Sequence, residues 1–216
     1  GDVTNNGYES EYATLMGIVN GSELGKAGKV QLSMGNHEYN YGTMDHFETQ
    51  TGQSANHVNY YNADGSTTSN VSAITGLTAT VVKLSAKNYG GDYTDQYKML
   101  QTALETAGTE NPSAPVIVMG HHGIRNTAYV TDEWYGNYGK GTDKDMVALM
   151  AKYPQVIHIS GHSHSTLEDA RSIYQDDGFT AIQDGTIGAY FENETGKVDP
   201  STGKPSTYPE GCEDAS

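Results

Sequence analysis

Cysteine is almost missing from this 216-residue chain: Cys212 stands alone near the C-terminus, which excludes a disulfide framework and a thiolate metal cluster. Basic residues are also scarce, with 12 Lys and Arg against 27 Asp and Glu and a formal net charge of −15. No cation cluster interrupts that balance, which argues against a groove that tracks a nucleic-acid backbone. No run approaches the ~18 consecutive apolar residues of a membrane-spanning helix. Leu, Ile, Val and Phe make up only about 16% of the chain, a fraction at which disorder becomes a candidate. Their placement argues for order, because they lie in short dense runs and 16 Tyr add large buriable bodies with a polar tip. The length suits roughly one domain. The chain opens on Gly1-Asp2 with neither an initiator Met nor a signal peptide, so it is expected to be a piece of a longer polypeptide with neighbouring domains.

Apolar positions Tyr8, Tyr12, Leu15, Met16 and Val19 recur at helical spacing, with Glu9 and Glu11 near the start, and predict a helix over 8–19. A strand is expected over 30–34, stopped by Gly35. Residues 40–72 read as a loop-heavy insertion with a short helix over 44–50 and a strand over 57–61. A β-branched strand follows at 78–84, then a helix marked by Tyr97, Leu100, Leu104 and Ala107 and ended by Gly108. Dense apolar runs predict strands over 115–119 and 156–160, each stopped by Gly. Between them, a Trp- and Tyr-bearing loop leads to Thr142, whose Thr-x-x-Asp spacing resembles a capping box for a helix carrying Met146, Leu149, Met150 and Tyr153. Strands at 179–183 and 186–191 close a domain over 1–193, and 194–216 has the composition of a linker-like tail. Alternating strands and helices indicate an α/β protein, in which ligands bind at the carboxyl ends of the strands.

Those strand ends carry the chemistry. The run 30–34 is followed by Gly35-Asn36-His37-Glu38, the second by Gly120-His121-His122, and the third by Gly161-His162-Ser163-His164. A Gly at each place lets the backbone turn sharply and neighbouring loops approach, so these imidazoles can converge on one point. Imidazole, carboxylate and amide oxygen together form a ligand set for Zn, Mn or Fe. By contrast His158, inside an apolar strand, is expected to be a core histidine, and His46 and His57 are expected on the surface of the insertion.

Gly1-Asp2, Gly35-Asn36-His37-Glu38, Gly120-His121-His122 and Gly161-His162-Ser163-His164, in that order, resemble the calcineurin-like metallophosphoesterase superfamily. The resemblance covers nearly the whole chain and implies a four-layer α/β/β/α sandwich whose first strand is missing here. It implies two divalent transition-metal ions (Mn, Fe or Zn) and hydrolysis of small phosphomonoesters or phosphodiesters, by in-line attack of a hydroxide bridging the ions. Asp2 is then similar to the carboxylate bridging both metals. Asn36, His121 and His162 resemble the other ligands of one metal, and His164 a ligand of the second. His37 is similar to the family's non-ligand histidine that contacts phosphate and protonates the leaving oxygen, with Glu38 orienting its ring. The stretches 47–52 and 186–190 resemble bacterial, often secreted members, so an extracellular or cell-wall location is expected, with the cytoplasm as the alternative.

Two departures qualify the resemblance. The family's first motif, Asp-x-His, occurs nowhere in these residues, so the second metal keeps only Asp2 and His164, too few for a stable site. An upstream Asp-x-His is therefore expected, and the alternative is a catalytically degenerate binding or surface module. Gly1-Asp2 continues as Val3-Thr4-Asn5-Asn6-Gly7, which argues against the protein Ser/Thr phosphatases and the purple acid phosphatases. No His-Glu-x-x-His helix motif suggests another kind of zinc hydrolase. Arg125 either forks onto phosphoryl oxygens or lies on the surface. Trp134, Tyr135 and Tyr138 either stack on substrate or cover apolar surface.

Overall fold

The computed structural model describes residues 1–164 and 170–185. Its helices are α1 (Glu9–Gly21), α2 (Glu23–Lys26), α3 (Met44–Thr51), α4 (Tyr97–Glu110) and α5 (Met146–Met150). Its strands are β1 (His57–Tyr61), β2 (Thr67–Thr68), β3 (Ala79–Leu84), β4 (Val116–Gly120), β5 (Gly123–Ile124), β6 (Tyr135–Gly136), β7 (Val156–Ser160), β8 (Ile173–Tyr174) and β9 (Thr180–Gln183). The architecture is mixed α/β, as expected. Among the described residues the strands form one seven-stranded sheet of order β2-β1-β3-β4-β7-β9-β8 and a two-stranded ribbon, β5-β6. The expected strand at 186–191 and the tail at 194–216 lie outside the described residues.

The four central strands, β3, β4, β7 and β9, run parallel. They alternate buried and half-buried residues, and the helix between β3 and β4 supplies the facing layer. Leu100, Ala103, Leu104 and Ala107 of α4 repeat at i, i+3, i+4 and i+7 and are fully buried against Val82, Leu84, Val116 and Val118. Gly108 does not end α4, which continues to Glu110 with Asn111 as its C-cap. A Cβ at Gly108 would lie 2.9 Å from the Tyr153 ring, so this glycine marks close packing of α4 against the segment after α5. The cap of α5 also differs from expectation. Asp145, not Thr142, accepts the Ala148 N–H at 2.9 Å, while the Thr142 hydroxyl is drawn back onto the Gly139 carbonyl.

A smaller core unites Tyr12 of α1, Phe47 of α3, Ala55, and Leu32 and Met34 of the 30–34 segment. That segment is buried as expected but forms no strand. Side chains take the place of a neighbouring ladder: Leu32 N–H donates to Gln53 Oε1, Gln53 Nε2 donates to the Val30 carbonyl, and Lys83 Nζ donates to the Leu32 carbonyl. No helix among the described residues is long and apolar enough to cross a membrane.

Register fixes where the loops emerge. Leu84 aligns with Gly120, Met119 with Ile159, and Ser160 with Gln183, so the parallel strands end nearly level. The backbone then ties the emerging loops together, with Gly161 N–H donating to the His121 carbonyl at 2.9 Å and Asp184 N–H to the Ser160 carbonyl at 2.7 Å.

Candidate metal centre

Four expected ligands meet at that edge. His121 Nε2 lies 2.8 Å from Asn36 Oδ1, 3.1 Å from Asp2 Oδ2 and 3.1 Å from His162 Nδ1. A single ring N–H can donate to only one of these neighbours. An amide oxygen, a carboxylate oxygen and a second imidazole nitrogen around one imidazole nitrogen are the donor types of a divalent transition-metal site, so the residues present fit such a group by their chemistry. Asp2 is held by a second bond, from the His37 N–H to Oδ1 at 3.0 Å. Glycine at position 35 permits the approach, since a Cβ there would collide with the Asp2 backbone and carboxylate.

Backbone strain concentrates here. Asp2 (φ 46°), His162 (φ 70°) and His164 (φ 51°) are three non-glycine residues in the left-handed region. Such conformations persist only where surrounding contacts over-determine them, and they cluster at binding sites. At the His162 turn the restraint is Gln183, whose Nε2 donates to the Gly161 carbonyl and to Ser163 Oγ.

Electrostatics favour the ligand form of each group. Burial opposes ionisation of Asp2, but its hydrogen bond and charge interactions with His121 and His37 outweigh burial and hold the carboxyl well below its usual range. Burial pushes His121 down, and burial with the neighbouring His121 pushes His162 to about 4. Neutral imidazoles beside an ionised carboxylate are what a cation requires.

His122 was not assigned from sequence, yet one of its ring nitrogens clusters with those of His121 and His162 within 4.8 Å. Its Nδ1 is 2.9 Å from the Tyr93 hydroxyl, which also accepts the His122 N–H at 3.0 Å. Only the His-His doublet hinted at it. Tyr93 stacks on Tyr138 at 4.5 Å, and Tyr138 in turn donates to the His122 carbonyl and lies 3.1 Å from His158 Nε2. Tyr138 is therefore buried scaffold beneath the centre and not a stacking surface for substrate. His158 is the core histidine expected, with Nε2 paired to Tyr138 and Nδ1 lacking a partner among the described residues. Half-buried His46 packs against Tyr12, and His57 bonds Asn59.

One other expectation needs correction, and one open alternative is decided. Among the described residues no hydrogen bond joins Glu38 to the His37 ring. Its carboxylate receives Thr4 N–H, Thr4 Oγ–H and Gly35 N–H, at 2.7, 2.9 and 2.6 Å, because three donors from two neighbouring turns converge on it. The Asn5 carbonyl instead accepts from His37 Nδ1 at 2.8 Å. Arg125 is exposed, with its guanidinium 4.6 Å over the Tyr135 ring, and it lines a different cavity with Ile124, Tyr138 and Lys140.

The centre opens into a cavity of about 450 Å³ bordered by Asn36, His37, His122, His162, His164 and Trp134. His164 and Trp134 lie in ring contact, with centroids 6.2 Å apart, and Trp134 also packs 5.4 Å from His162. His164 is not in the group that His121, His122 and His162 form within 4.8 Å of one another. The described residues offer only Asp2 and His164 from the family set for a second ion, and this set does not fit one by itself.

A donor set of the types that suit a divalent cation, at the carboxyl edge of a parallel sheet and beside an open cavity, makes this a candidate metal centre. The chain belongs to the calcineurin-like phosphoesterases, whose family model matches residues 1–166. Members of this family are generally hydrolytic and typically use divalent metals. No curated protein matches the chain.

Proposed function

We propose that this protein hydrolyses small phosphate esters, with Asp2, Asn36, His121 and His162 holding a divalent ion. The observation that carries this reading is the gathering of the other three donors around His121 Nε2, each within 3.1 Å of it. When bound, divalent ions supply positive charge to the phosphoryl group and bring the pKa of water toward neutrality. The chain's own residues do the rest. The level ends of β4 and β7 fix His121 and His162 on a rigid frame while the cavity stays open to substrate. The Gly35 N–H bond to Glu38 and the His37 N–H bond to Asp2 hold the Asp2 and Asn36 turns. With Nδ1–H donating to the Asn5 carbonyl, the imidazolium form of His37 presents Nε2–H, which can contact a phosphoryl oxygen and pass its proton to the departing alkoxide, leaving the neutral ring. Glu38 locks the Asp2 turn to the Asn36 turn and so supports the donors through the backbone.

The missing partners for a second ion favour one other reading, a module that binds a single cation without turnover. One experiment separates them. Metal content is measured after loading with Mn²⁺ or Zn²⁺, and hydrolysis of p-nitrophenyl phosphate and bis(p-nitrophenyl) phosphate is followed for the wild type and His162→Ala. Turnover that His162→Ala abolishes, with the fold retained, supports the hydrolase. Bound metal with no turnover supports the binding module, and unchanged turnover in His162→Ala rejects the ligand assignment.

A further inference from the structure

Beside the imidazoles, the cavity lining is aromatic. Tyr89, Trp134 and Tyr135 share its lining with His37, His162 and His164. Tyr89 and Tyr135 leave 51% and 38% of their surface exposed, a costly display of ring area in a chain with so few large apolar side chains. Trp134 sits against His162 and His164, so a group stacked on the indole would lie one ring's width from the cation donors.

The wall is built rather than draped. Asn137 joins its two halves: its N–H donates to the Gly91 carbonyl at 2.7 Å, and its own carbonyl accepts the Tyr93 N–H at 2.9 Å. The Tyr89 turn and the Trp134–Tyr135 segment are thereby tied to each other across 46 residues of sequence. Trp134 N–H donates to the carbonyl of Val130, a β-branched residue at φ 65°. That conformation is costly for Val and is imposed by its surroundings, including buried Thr131, whose hydroxyl donates to the Ala128 carbonyl at 2.6 Å. The rings are thus held before any ligand arrives, which lowers the ordering cost of binding. Behind the wall, the Arg125 guanidinium braces Tyr135 from its face at 4.6 Å. Glu133 also lines the cavity, and in a chain of net charge −15 this favours an uncharged planar group over a second phosphate.

We propose that Tyr89, Trp134 and Tyr135 form a subsite for a planar aromatic substituent of the phosphoester, so that the preferred substrates carry an aryl or heteroaryl group on the phosphate. This deepens the hydrolase reading and rests on it for the reaction, though the subsite itself is a statement about binding.

Trp134 is the chain's single Trp and reports directly on the subsite. The Mn²⁺-loaded protein is titrated with diphenyl phosphate and with diethyl phosphate, by calorimetry and by Trp emission. Diphenyl phosphate is expected to bind about tenfold more tightly and to perturb the emission, and Tyr89→Ala is expected to remove most of that preference. In parallel, kcat/KM is compared for p-nitrophenyl phenyl phosphate and p-nitrophenyl ethyl phosphate, which share one leaving group. An approximately tenfold preference for the phenyl ester that collapses in Tyr89→Ala supports the subsite. Equal affinities, or equal losses for both ligands in Tyr89→Ala, overturn it. Preferential binding of diphenyl phosphate, with neither diester nor p-nitrophenyl phosphate hydrolysed, leaves the subsite standing and defeats the hydrolase reading.

Discussion

The carboxylate of Glu38 receives both polar hydrogens of Thr4, the backbone N–H at 2.7 Å and the hydroxyl at 2.9 Å. Its second oxygen takes the Gly35 N–H, so the turns carrying Asp2 and Asn36 behave as one unit. Glu38→Gln replaces one acceptor oxygen with an NH₂ group that faces an N–H donor. A buried N–H then lacks a partner, and unfolding stability should fall by about 1–3 kcal/mol. Divalent-ion affinity should fall by about 10- to 100-fold, as it does when groups that orient ligands are lost. Chemical denaturation and calorimetric metal titration test the two effects separately. Unchanged metal affinity would show that Asp2 is positioned without Glu38.

Cation binding to the folded chain should raise its stability by mass action, by about 2.7 kcal/mol at a hundredfold excess over Kd. His162→Ala and Asn36→Ala each remove one of the donors gathered at His121, so their melting temperatures should respond far less to Mn²⁺ or Zn²⁺. His164 lies outside that cluster, and His164→Ala should keep most of the wild-type response. Differential scanning fluorimetry across a metal series decides the point, and loss of the response in His164→Ala alone would relocate the cation.

What could be read from sequence followed the reach of its signals. The dense runs before Gly120 and Gly161 announced buried parallel strands, and the strand–glycine–histidine pattern placed His121 and His162 together, because level strand ends are a generic property of parallel sheets. The 30–34 segment misled because its backbone partners are the side chains of Gln53 and Lys83, and apolarity alone cannot distinguish these from a neighbouring strand. Thr142 and Asp145 offered two overlapping caps, and the choice was made by the Gly139 carbonyl, which captures the Thr142 hydroxyl. Tyr138 and Tyr135, three residues apart, went to core and cavity wall through contacts with Tyr93 and Arg125 that no local pattern encodes. The role of Glu38 was hidden for the same reason, since its main partner is 34 residues away.

The Tyr93 hydroxyl supports His122 twice, accepting its backbone N–H and pairing with its ring Nδ1. Tyr93→Phe keeps the ring stack on Tyr138 but strands a buried N–H. Stability should fall by about 1–3 kcal/mol, with the denaturant m-value unchanged. A loss under 0.5 kcal/mol would mean that water reaches the vacated position.

His158, which is not one of the cation donors, supplies a pH signature of its own. Complete burial drives its pKa from 6.5 down to about 3. Between those values the unfolded chain binds a proton that the folded chain refuses, so stability is highest above pH 6.5 and falls as pH drops toward 3. The slope from this one residue approaches 1.4 kcal/mol per pH unit, the value of about one proton. His122 and His162 are shifted the same way, so the informative quantity is a difference between variants. His158→Gln retains a polar side chain near the Tyr138 hydroxyl but cannot titrate. Urea unfolding at intervals from pH 6.5 to 4 should show a loss of stability shallower in His158→Gln than in wild type by close to one proton. Parallel curves would mean that His158 takes up its proton inside the folded core, and the unpaired Nδ1 would then have to find an acceptor there.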